Sequence, residues 1–304
     1  MGIVGLPNAG KSTLFNALAS RRLAETAPRP FTTIDPHEAV VPIPDRHLDK
    51  LGDLIKPETT IPATVTFTDI AGLVKGAHKG EGLGNQFLAK IREVDAVIHV
   101  VRAFFDPQVS HQHPSHEPGS LEQILDDIEI VNIELELGGI NKKPTIYVLN
   151  CDEDGLKNID FIQAVEEKFK ENAVLISAKL EEELIDFSPD EKLEYLKGLG
   201  LDKTGLERLI LAAYEMLNLI TFYTIKGGKE LHAWSLTNGS TAIEAAACVH
   251  SDFAKNFIKA EVVNVEKLLE VEGWKNARDK GLIALEGKGY VVNDEDVIEF
   301  KVGS

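Results

Sequence analysis

Short apolar runs alternate with amphipathic stretches along roughly the first two thirds of the chain. Runs rich in β-branched residues and bounded by polar or glycine-containing segments predict strands. Their positions are 38–43, 63–68, 96–101, 144–149 and 173–176. Stretches with apolar residues at helical spacing predict helices. These follow residue 10 and recur at 85–93, 121–137, 189–196 and 205–217.

This alternation predicts a doubly wound α/β domain over residues 1–217, with ligands at the carboxyl ends of its strands. The run 96–101 is apolar on both faces, as expected of a strand buried in a parallel sheet. His99 within this run is therefore predicted to be a core or edge histidine with its hydrogen bonds satisfied, not a catalytic residue.

The pattern changes at about residue 218. Two alternating runs flank a Gly-Gly turn and predict a β-hairpin, and a helix, a strand and a further helical stretch follow. Closing strands are predicted at 289–292 and 297–302. This order predicts a small β-grasp domain over residues 218–304, and because it holds no evident catalytic constellation we interpret it as a binding domain.

The strongest motif is G-x-x-x-x-G-K-[ST] at residues 5–12, between a predicted strand and a predicted helix. Such a phosphate-binding loop uses glycines so that backbone N–H groups can point at phosphate oxygens, and the helix N-terminus adds its positive end. Lys11 is predicted to reach the β- and γ-phosphates, and Ser12 to offer its hydroxyl to Mg²⁺. The predicted nucleotide contacts in this loop are Asn8, Ala9, Gly10, Lys11, Ser12 and Thr13.

Two further segments have the composition of nucleotide-dependent switches. The proline-bounded loop 29–36 contains Thr33, our choice over Thr32 for a ligand that closes on Mg²⁺. Asp69 and Gly72 form D-x-x-G after a predicted strand, where the carboxylate holds Mg²⁺ through water and the glycine N–H senses the γ-phosphate. The predicted metal ligands are therefore Ser12, Thr33 and Asp69.

A departure from the usual guanine-binding pattern follows the strand at 144–149. The sequence there is Asn150-Cys151-Asp152-Glu153, where GTPases carry N-K-x-D and use the aspartate to accept hydrogen bonds from guanine. Glu153 is one methylene longer, and adenine lacks the guanine N2 amine, so the site is predicted to prefer adenine. Ser177 and Ala178 belong to an S-A-K loop that is predicted to close over the base.

Composition and charge limit the cellular location and the partners that are expected of the protein. No apolar run of the 304 residues approaches the roughly 18 needed to cross a bilayer, and no signal peptide is evident, so a cytoplasmic protein without a membrane partner is expected. A net charge of -17 argues against nonspecific binding to bare nucleic acid. Residues 218–304 carry 10 basic and 13 acidic side chains and are the less repelled part, which leaves room for RNA as a partner.

Together these motifs resemble the Obg-like ATPase family and its YchF subgroup, over nearly the whole chain. The resemblance implies a P-loop domain and a C-terminal TGS domain, slow hydrolysis of ATP in preference to GTP, and association with ribosomes in translation or stress regulation. It also implies a hydrophobic residue where Ras-type enzymes place the glutamine that orients water, and Leu73 matches.

The resemblance implies two more residue roles and one departure. A histidine after the R-x-F segment is proposed to assist hydrolysis in the family, and His111 matches that position, with His113 and His116 nearby. Asn8 matches an asparagine that holds an activating K⁺ in related enzymes. The family inserts a helical domain where this chain has only residues 134–142, so the insertion is absent or the sequence records part of a longer chain.

Three functional hypotheses follow. The first is an ATPase switch, with Lys11, Gly72 and His111 as the catalytic candidates. The second is a GTPase of the Obg type, against which the N-x-x-E sequence argues. The third is a nucleotide-dependent scaffold with negligible turnover, which Leu73 at the usual glutamine position leaves open.

Overall fold

The computed structural model describes residues 1–25, 37–70, 83–109, 116–140 and 143–303. The chain divides into two units. The first consists of Met1–Val41 and Val65–Met216, and the second of Pro42–Thr64 and Leu217–Ser304. Residues 42–64 were assigned to the first domain from the sequence, whereas in the structure they group with the C-terminal residues.

The first unit contains a six-stranded sheet. Its strands are β1 (Gly2–Val4), β2 (Glu38–Pro42), β4 (Thr64–Asp69), β5 (Val97–Arg102), β6 (Thr145–Asn150) and β7 (Ala173–Ile176). Their order across the sheet is β2-β4-β1-β5-β6-β7. The strand β1 is parallel to β4 and β5, and β5, β6 and β7 continue in parallel. The carboxyl ends of these five strands therefore meet at one edge of the sheet.

Eight α-helices lie within the described part of the first unit, five of them before β7 and three after it. They are α1 (Lys11–Glu25), α3 (Leu83–Glu93), α4 (Leu121–Leu137), α5 (Glu153–Lys157), α6 (Ile159–Phe169), α7 (Ala178–Glu183), α8 (Pro189–Gly198) and α9 (Gly205–Met216). The strand β5 is buried along its whole length, as its apolar sequence predicts. This architecture confirms the predicted doubly wound α/β class.

The second unit contains a separate six-stranded sheet. Its strands are β3 (Thr59–Ile61), β8 (Leu219–Lys226), β9 (Glu230–Thr237), β10 (Phe257–Asn264), β11 (Ala284–Glu286) and β12 (Asp296–Val302). They lie in the order β11-β10-β12-β8-β9-β3. The helices are α2 (Arg46–Ile55), α10 (Ala242–Val249), α11 (Ser251–Lys255), α12 (Val265–Glu270) and α13 (Trp274–Asp279). The hairpin β8–β9 is antiparallel, as its sequence predicts.

Polar contacts hold residues 42–64 within the second unit. Asp45 caps the N-terminus of α2, and its carboxylate also accepts hydrogen bonds from the Tyr223 hydroxyl at 3.0 and 2.9 Å. The Nδ1 atom of His47 lies 2.8 Å from the carboxylate of Glu295. The short strand β3 completes the attachment by pairing in parallel with β9.

For the second unit, one prediction from the sequence was wrong and one helix was not predicted. The strand predicted at 289–292 is wrong, since this segment makes only an isolated bridge between Val291 and Thr241. The segment instead sends Val292 into the core, and Ala284–Glu286 pairs with the edge of β10. The helix α2 was not predicted either, although its N-cap aspartate is a standard helix start signal.

His99 lies within β5 and is only 1% exposed, so its predicted core position is confirmed. Its ring contacts that of Tyr147, with 5.7 Å between the centroids. The prediction of satisfied hydrogen bonds is not met within the described residues, where Nε2 has no partner. Burial, with a smaller effect from the Lys11 charge, lowers the pKa of His99 to about 3, so the imidazole is neutral at physiological pH.

We expect His99 to make stability depend on pH. Because its folded-state pKa lies below the ordinary value of 6.5, only the unfolded chain binds the proton between these values. The stabilising contribution is complete above pH 6.5 and is lost as the pH falls toward 3. The loss from pH 7 to pH 5 is about 2 kcal/mol, and urea unfolding of the wild type and His99→Gln at both pH values measures it.

The His99→Gln protein should lose about 2 kcal/mol less stability than the wild type over this pH range. A suitable control is His250→Gln, because the side chain of His250 is exposed. If His99→Gln and the wild type lost the same stability between pH 7 and pH 5, the attribution of this loss to His99 would be contradicted.

Candidate nucleotide-binding site

The loop between β1 and α1 has backbone angles that favour glycine at two of its positions. The φ angles of Gly5 and Gly10 are 150° and 95°, and Asn8 between them is also left-handed at 64°. A Cβ at Gly5 would lie 2.2 Å from the carbonyl oxygen of Val100, so the loop passes directly against β5. The glycines of the motif are thus required by the shape of the loop.

Lys11 occupies the first position of α1 and is buried, although it carries a charge. Its Nζ donates a hydrogen bond to the carbonyl oxygen of Leu6 at 2.7 Å, which folds the side chain back over the loop. Burial lowers the pKa of Lys11, while the nearby charge of Asp69 acts in the opposite direction. A buried cation beside backbone N–H groups at a helix N-terminus is suited to bind phosphate.

Two of the three predicted magnesium ligands are described. Ser12 is exposed at the start of α1, and Asp69 is the half-buried last residue of β4. A hydroxyl and a carboxylate are hard oxygen donors and fit Mg²⁺, which keeps several waters and takes further oxygens from phosphate. The described residues contain no group of three or more histidine, cysteine or acidic side chains with the arrangement of a metal site.

Asn150 connects the phosphate loop to the loop after β7. Its Nδ2 donates to the carbonyl oxygen of Ala9 at 3.0 Å, and its Oδ1 accepts from the backbone N–H of Ala178 at 2.9 Å. Ala178 follows Ser177, whose hydroxyl caps α7 by accepting from the N–H of Leu180. Asn150 is buried and thus fixes two loops that are distant in sequence.

Glu153 begins α5 and is half-buried. Its Oε2 accepts a hydrogen bond from the hydroxyl of Tyr195, a residue of α8, at 2.9 Å. Cys151, which replaces the usual lysine, is buried, and burial is the main cause that raises the pKa of its thiol to about 12. This thiol is therefore unreactive at neutral pH.

These elements enclose a cavity of about 920 Å³. Nine of the ten predicted nucleotide contacts line it. They are Asn8, Gly10, Lys11, Ser12, Thr13, Asn150, Glu153, Ser177 and Ala178. The tenth, Ala9, is buried and contributes its carbonyl oxygen to Asn150.

One wall of the cavity was not predicted from the sequence. Arg102, at the end of β5, is 3% exposed and donates hydrogen bonds to the carbonyl oxygens of Phe104, Asp106 and Val109 at 3.1, 3.3 and 3.1 Å. Its guanidinium carbon also lies 4.7 Å from the ring centroid of Phe104. All three residues that accept these hydrogen bonds line the cavity, together with the exposed Phe105. The R-x-F sequence was the available signal, but its structural role depends on contacts after the strand.

Three predicted site residues lie outside the described part of the chain. Thr33, Gly72 and His111 fall within residues 26–36, 71–82 and 110–115 respectively. Their roles remain predictions from the sequence.

Two protein families match separate parts of the chain. Residues 1–151 match the family described as 50S ribosome-binding GTPase. Residues 219–303 match the C-terminal domain of YchF GTPases, which is described as a protein of unknown function.

Among curated relatives, the ribosome-binding ATPase YchF of Haemophilus influenzae is 40% identical over 363 positions, with 99% of this chain and 98% of the relative covered. The protein of the same name from Bacillus subtilis is 38% identical, with 99% and 98% covered. The alignment with the first relative exceeds the 304 residues of this chain by at least 59 positions, so that relative carries residues with no counterpart here.

Among solved structures, the YchF GTPase of Schizosaccharomyces pombe has a TM-score of 0.79 and is 31% identical, with 99% of this chain and 97% of that chain covered. A GTP-binding protein from Pyrococcus horikoshii has a TM-score of 0.60 at 18% identity, which shows a shared fold. Full-length identity to the curated relatives, the two family matches and the phosphate loop agree, and the chain belongs to the YchF family.

Proposed function

We propose that this protein is an ATPase switch that binds ATP in preference to GTP and acts with the ribosome. The observation that carries this proposal is the arrangement at the base end of the cavity, where Glu153 takes the place of the aspartate that reads guanine. The names of its relatives, ribosome-binding ATPases, support both the hydrolysed nucleotide and the partner.

The phosphate end of the cavity has groups suited to stabilise charge. Lys11 and the N–H groups at the start of α1 would bind the β- and γ-phosphates, with the lysine positioned by its contact to Leu6. Gly72 would donate its N–H to the γ-phosphate, and His111 would assist the attack of water, since Leu73 has no group to orient it. Turnover without a partner is proposed to be slow for the same reason.

Two ions are proposed. Ser12, Thr33 and Asp69 would hold Mg²⁺, whose chemistry is to neutralise charge on the phosphates during hydrolysis. Asn8, exposed at the edge of the cavity, is the proposed ligand for an activating K⁺.

The preference for adenine follows from hydrogen-bond chemistry. Guanine presents N1–H and an N2 amine, which an aspartate in N-K-x-D accepts, whereas adenine has an acceptor at N1 and no N2 amine. A longer side chain that is already bonded to Tyr195 is poorly placed to accept both guanine donors. A base whose polar groups remain unpaired binds more weakly, so guanine is disfavoured.

The test is equilibrium binding of ATP and GTP, each with Mg²⁺ and K⁺, to the wild type and to Glu153→Asp. We expect the wild type to bind ATP more tightly, and the variant to shift the ratio toward GTP by about tenfold, the effect of one hydrogen bond to a charged group. Glu167→Asp is the matched control, because Glu167 lies on α6 with its side chain exposed and does not line the cavity. Tighter binding of GTP than of ATP by the wild type would overturn the ATPase proposal in favour of an Obg-type GTPase.

The ribosome is the proposed partner, with ribosomal RNA as part of the surface that is recognised. The first unit matches a 50S ribosome-binding GTPase family, which supports the large subunit as the binding partner. A sedimentation assay with purified 50S subunits extends the test. A switch protein should sediment with the subunit to a different extent in the presence of ATP and of ADP. With the ribosome as its partner, the protein is proposed to act in the cytoplasm. The described residues contain no helix with the length and apolarity of a membrane span.

A further inference from the structure

The hydrogen bond between Tyr195 and Glu153 joins the base end of the cavity to a helix that contributes no lining residue to it. We propose that Tyr195 is a specificity-determining residue that holds the Glu153 carboxylate away from the guanine-accepting geometry. The inference rests on the proposed preference for ATP and names the residue that enforces it.

The position of the Tyr195 hydroxyl is fixed by its surroundings. Its ring meets that of Phe187 edge to face, with 5.8 Å between centroids and an interplanar angle of 84°. The ring also packs against the buried cluster that includes Leu156 and Leu180. An aromatic ring held on two sides has little rotational freedom, so the hydroxyl is presented to Glu153 from one direction.

The helix that carries Tyr195 is itself well defined at its N-terminus. Ser188 and Glu191 form a reciprocal capping box, in which the Ser188 hydroxyl accepts from the Glu191 N–H and the glutamate accepts from the Ser188 N–H. Such a cap stabilises the first turn of a helix. The donor to Glu153 therefore sits on a regular element rather than on a loop.

The hydrogen bond from Tyr195 to the Glu153 carboxylate affects the binding of guanine and of adenine differently. Glu153 lines the cavity, and its Oε2 accepts from the tyrosine hydroxyl at 2.9 Å, a bond that restrains the direction of the carboxylate. A guanine would need the carboxylate turned so that its oxygens accept from N1–H and from the N2 amine, and the bond to Tyr195 opposes that rotation. Adenine has neither donor, so its binding does not require the carboxylate to turn.

The tyrosine keeps its proton in this arrangement. Its hydrogen bond to the Glu153 carboxylate is the main cause that raises the pKa of Tyr195 above its ordinary value of 10.0. The residue thus remains a hydrogen-bond donor throughout the physiological pH range.

The experiment compares the Kd values of ATP and GTP for the wild type, Tyr195→Phe and Tyr147→Phe. The first variant removes one oxygen and keeps the ring contact with Phe187. The control loses the hydroxyl of another half-buried tyrosine, one that does not line this cavity. We expect Tyr195→Phe to lower the ratio of the GTP Kd to the ATP Kd by about three- to tenfold, through tighter GTP binding, as expected for one released hydrogen bond. The control should keep the wild-type ratio.

The possible results separate this inference from the proposed function. Wild-type preference for ATP with an unchanged ratio in Tyr195→Phe would overturn the inference and leave the ATPase proposal standing. An equal weakening of both nucleotides would also overturn it, since that result indicates a structural role only. Wild-type preference for GTP would overturn the proposed function and the inference with it.

Discussion

Replacing Lys11 with alanine is expected to lower ATP turnover by a factor on the order of 10² to 10³. The side chain is a buried cation at the phosphate end of the cavity, and the loss of one preorganised charge at the site of developing negative charge has this size in other enzymes. Phosphate release under saturating ATP measures the effect, and a separate binding titration shows how much of it comes from affinity.

Lys168→Ala is the matched control for this prediction. Lys168 lies on α6 with its side chain exposed, and it does not line the cavity. Turnover by this variant should equal that of the wild type. If Lys11→Ala retained more than about a third of the wild-type turnover, the phosphate-stabilising role of the lysine would be wrong.

Replacing Gly10 with alanine is expected to destabilise the first unit by about 2 to 4 kcal/mol and to abolish tight nucleotide binding. A Cβ at this position would lie 2.1 Å from Nδ2 of Asn150, and the φ angle of 95° is itself unfavourable for alanine. The clash would separate Asn150 from the Ala9 carbonyl and so release the phosphate loop from the loop after β7. Urea unfolding and nucleotide titration measure the two effects.

Gly200→Ala distinguishes the clash from the backbone strain. Gly200 also has a positive φ angle, 73°, but a Cβ there would meet no atom within 4 Å. This control should cost about 1 kcal/mol and leave nucleotide binding intact. Equal destabilisation by the two substitutions would show that the contact with Asn150 contributes nothing.

The elements that were predicted best are those whose structure depends on neighbouring residues. The phosphate loop was predicted because its glycines, lysine and serine are adjacent and its flanking strand and helix are local. The strands β5 and β6 and the helix α4 were predicted within one residue or exactly for the same reason, since apolar periodicity is a local property. Glu153 was identified as a departure by its position in a short motif.

Elements defined by what they pack against agree less well with the predictions from the sequence. The strand predicted at 289–292 was wrong because Val292 is drawn into the core of the second unit, while β11 takes the edge of β10. Residues 42–64 group with the second unit through Tyr223 and β9, which follow more than 150 residues later in the chain. Neither contact has a signal in the local sequence.

The sequence by itself determined the phosphate loop, the α/β class, the change of architecture near residue 218 and the replacement of the guanine-reading aspartate. Only the tertiary structure decided that Asn150 holds two loops together, that Arg102 builds a wall of the cavity and that Tyr195 bonds to Glu153. For Asn150 and Tyr195 the physical reason is distance along the chain. Motifs record residues that act within a few positions of one another, whereas these two side chains acquire their roles from hydrogen bonds that form once separate strands and helices have packed. The bonds of Arg102 are local, but they depend on the irregular path of the segment after β5, which strand and helix patterns do not describe.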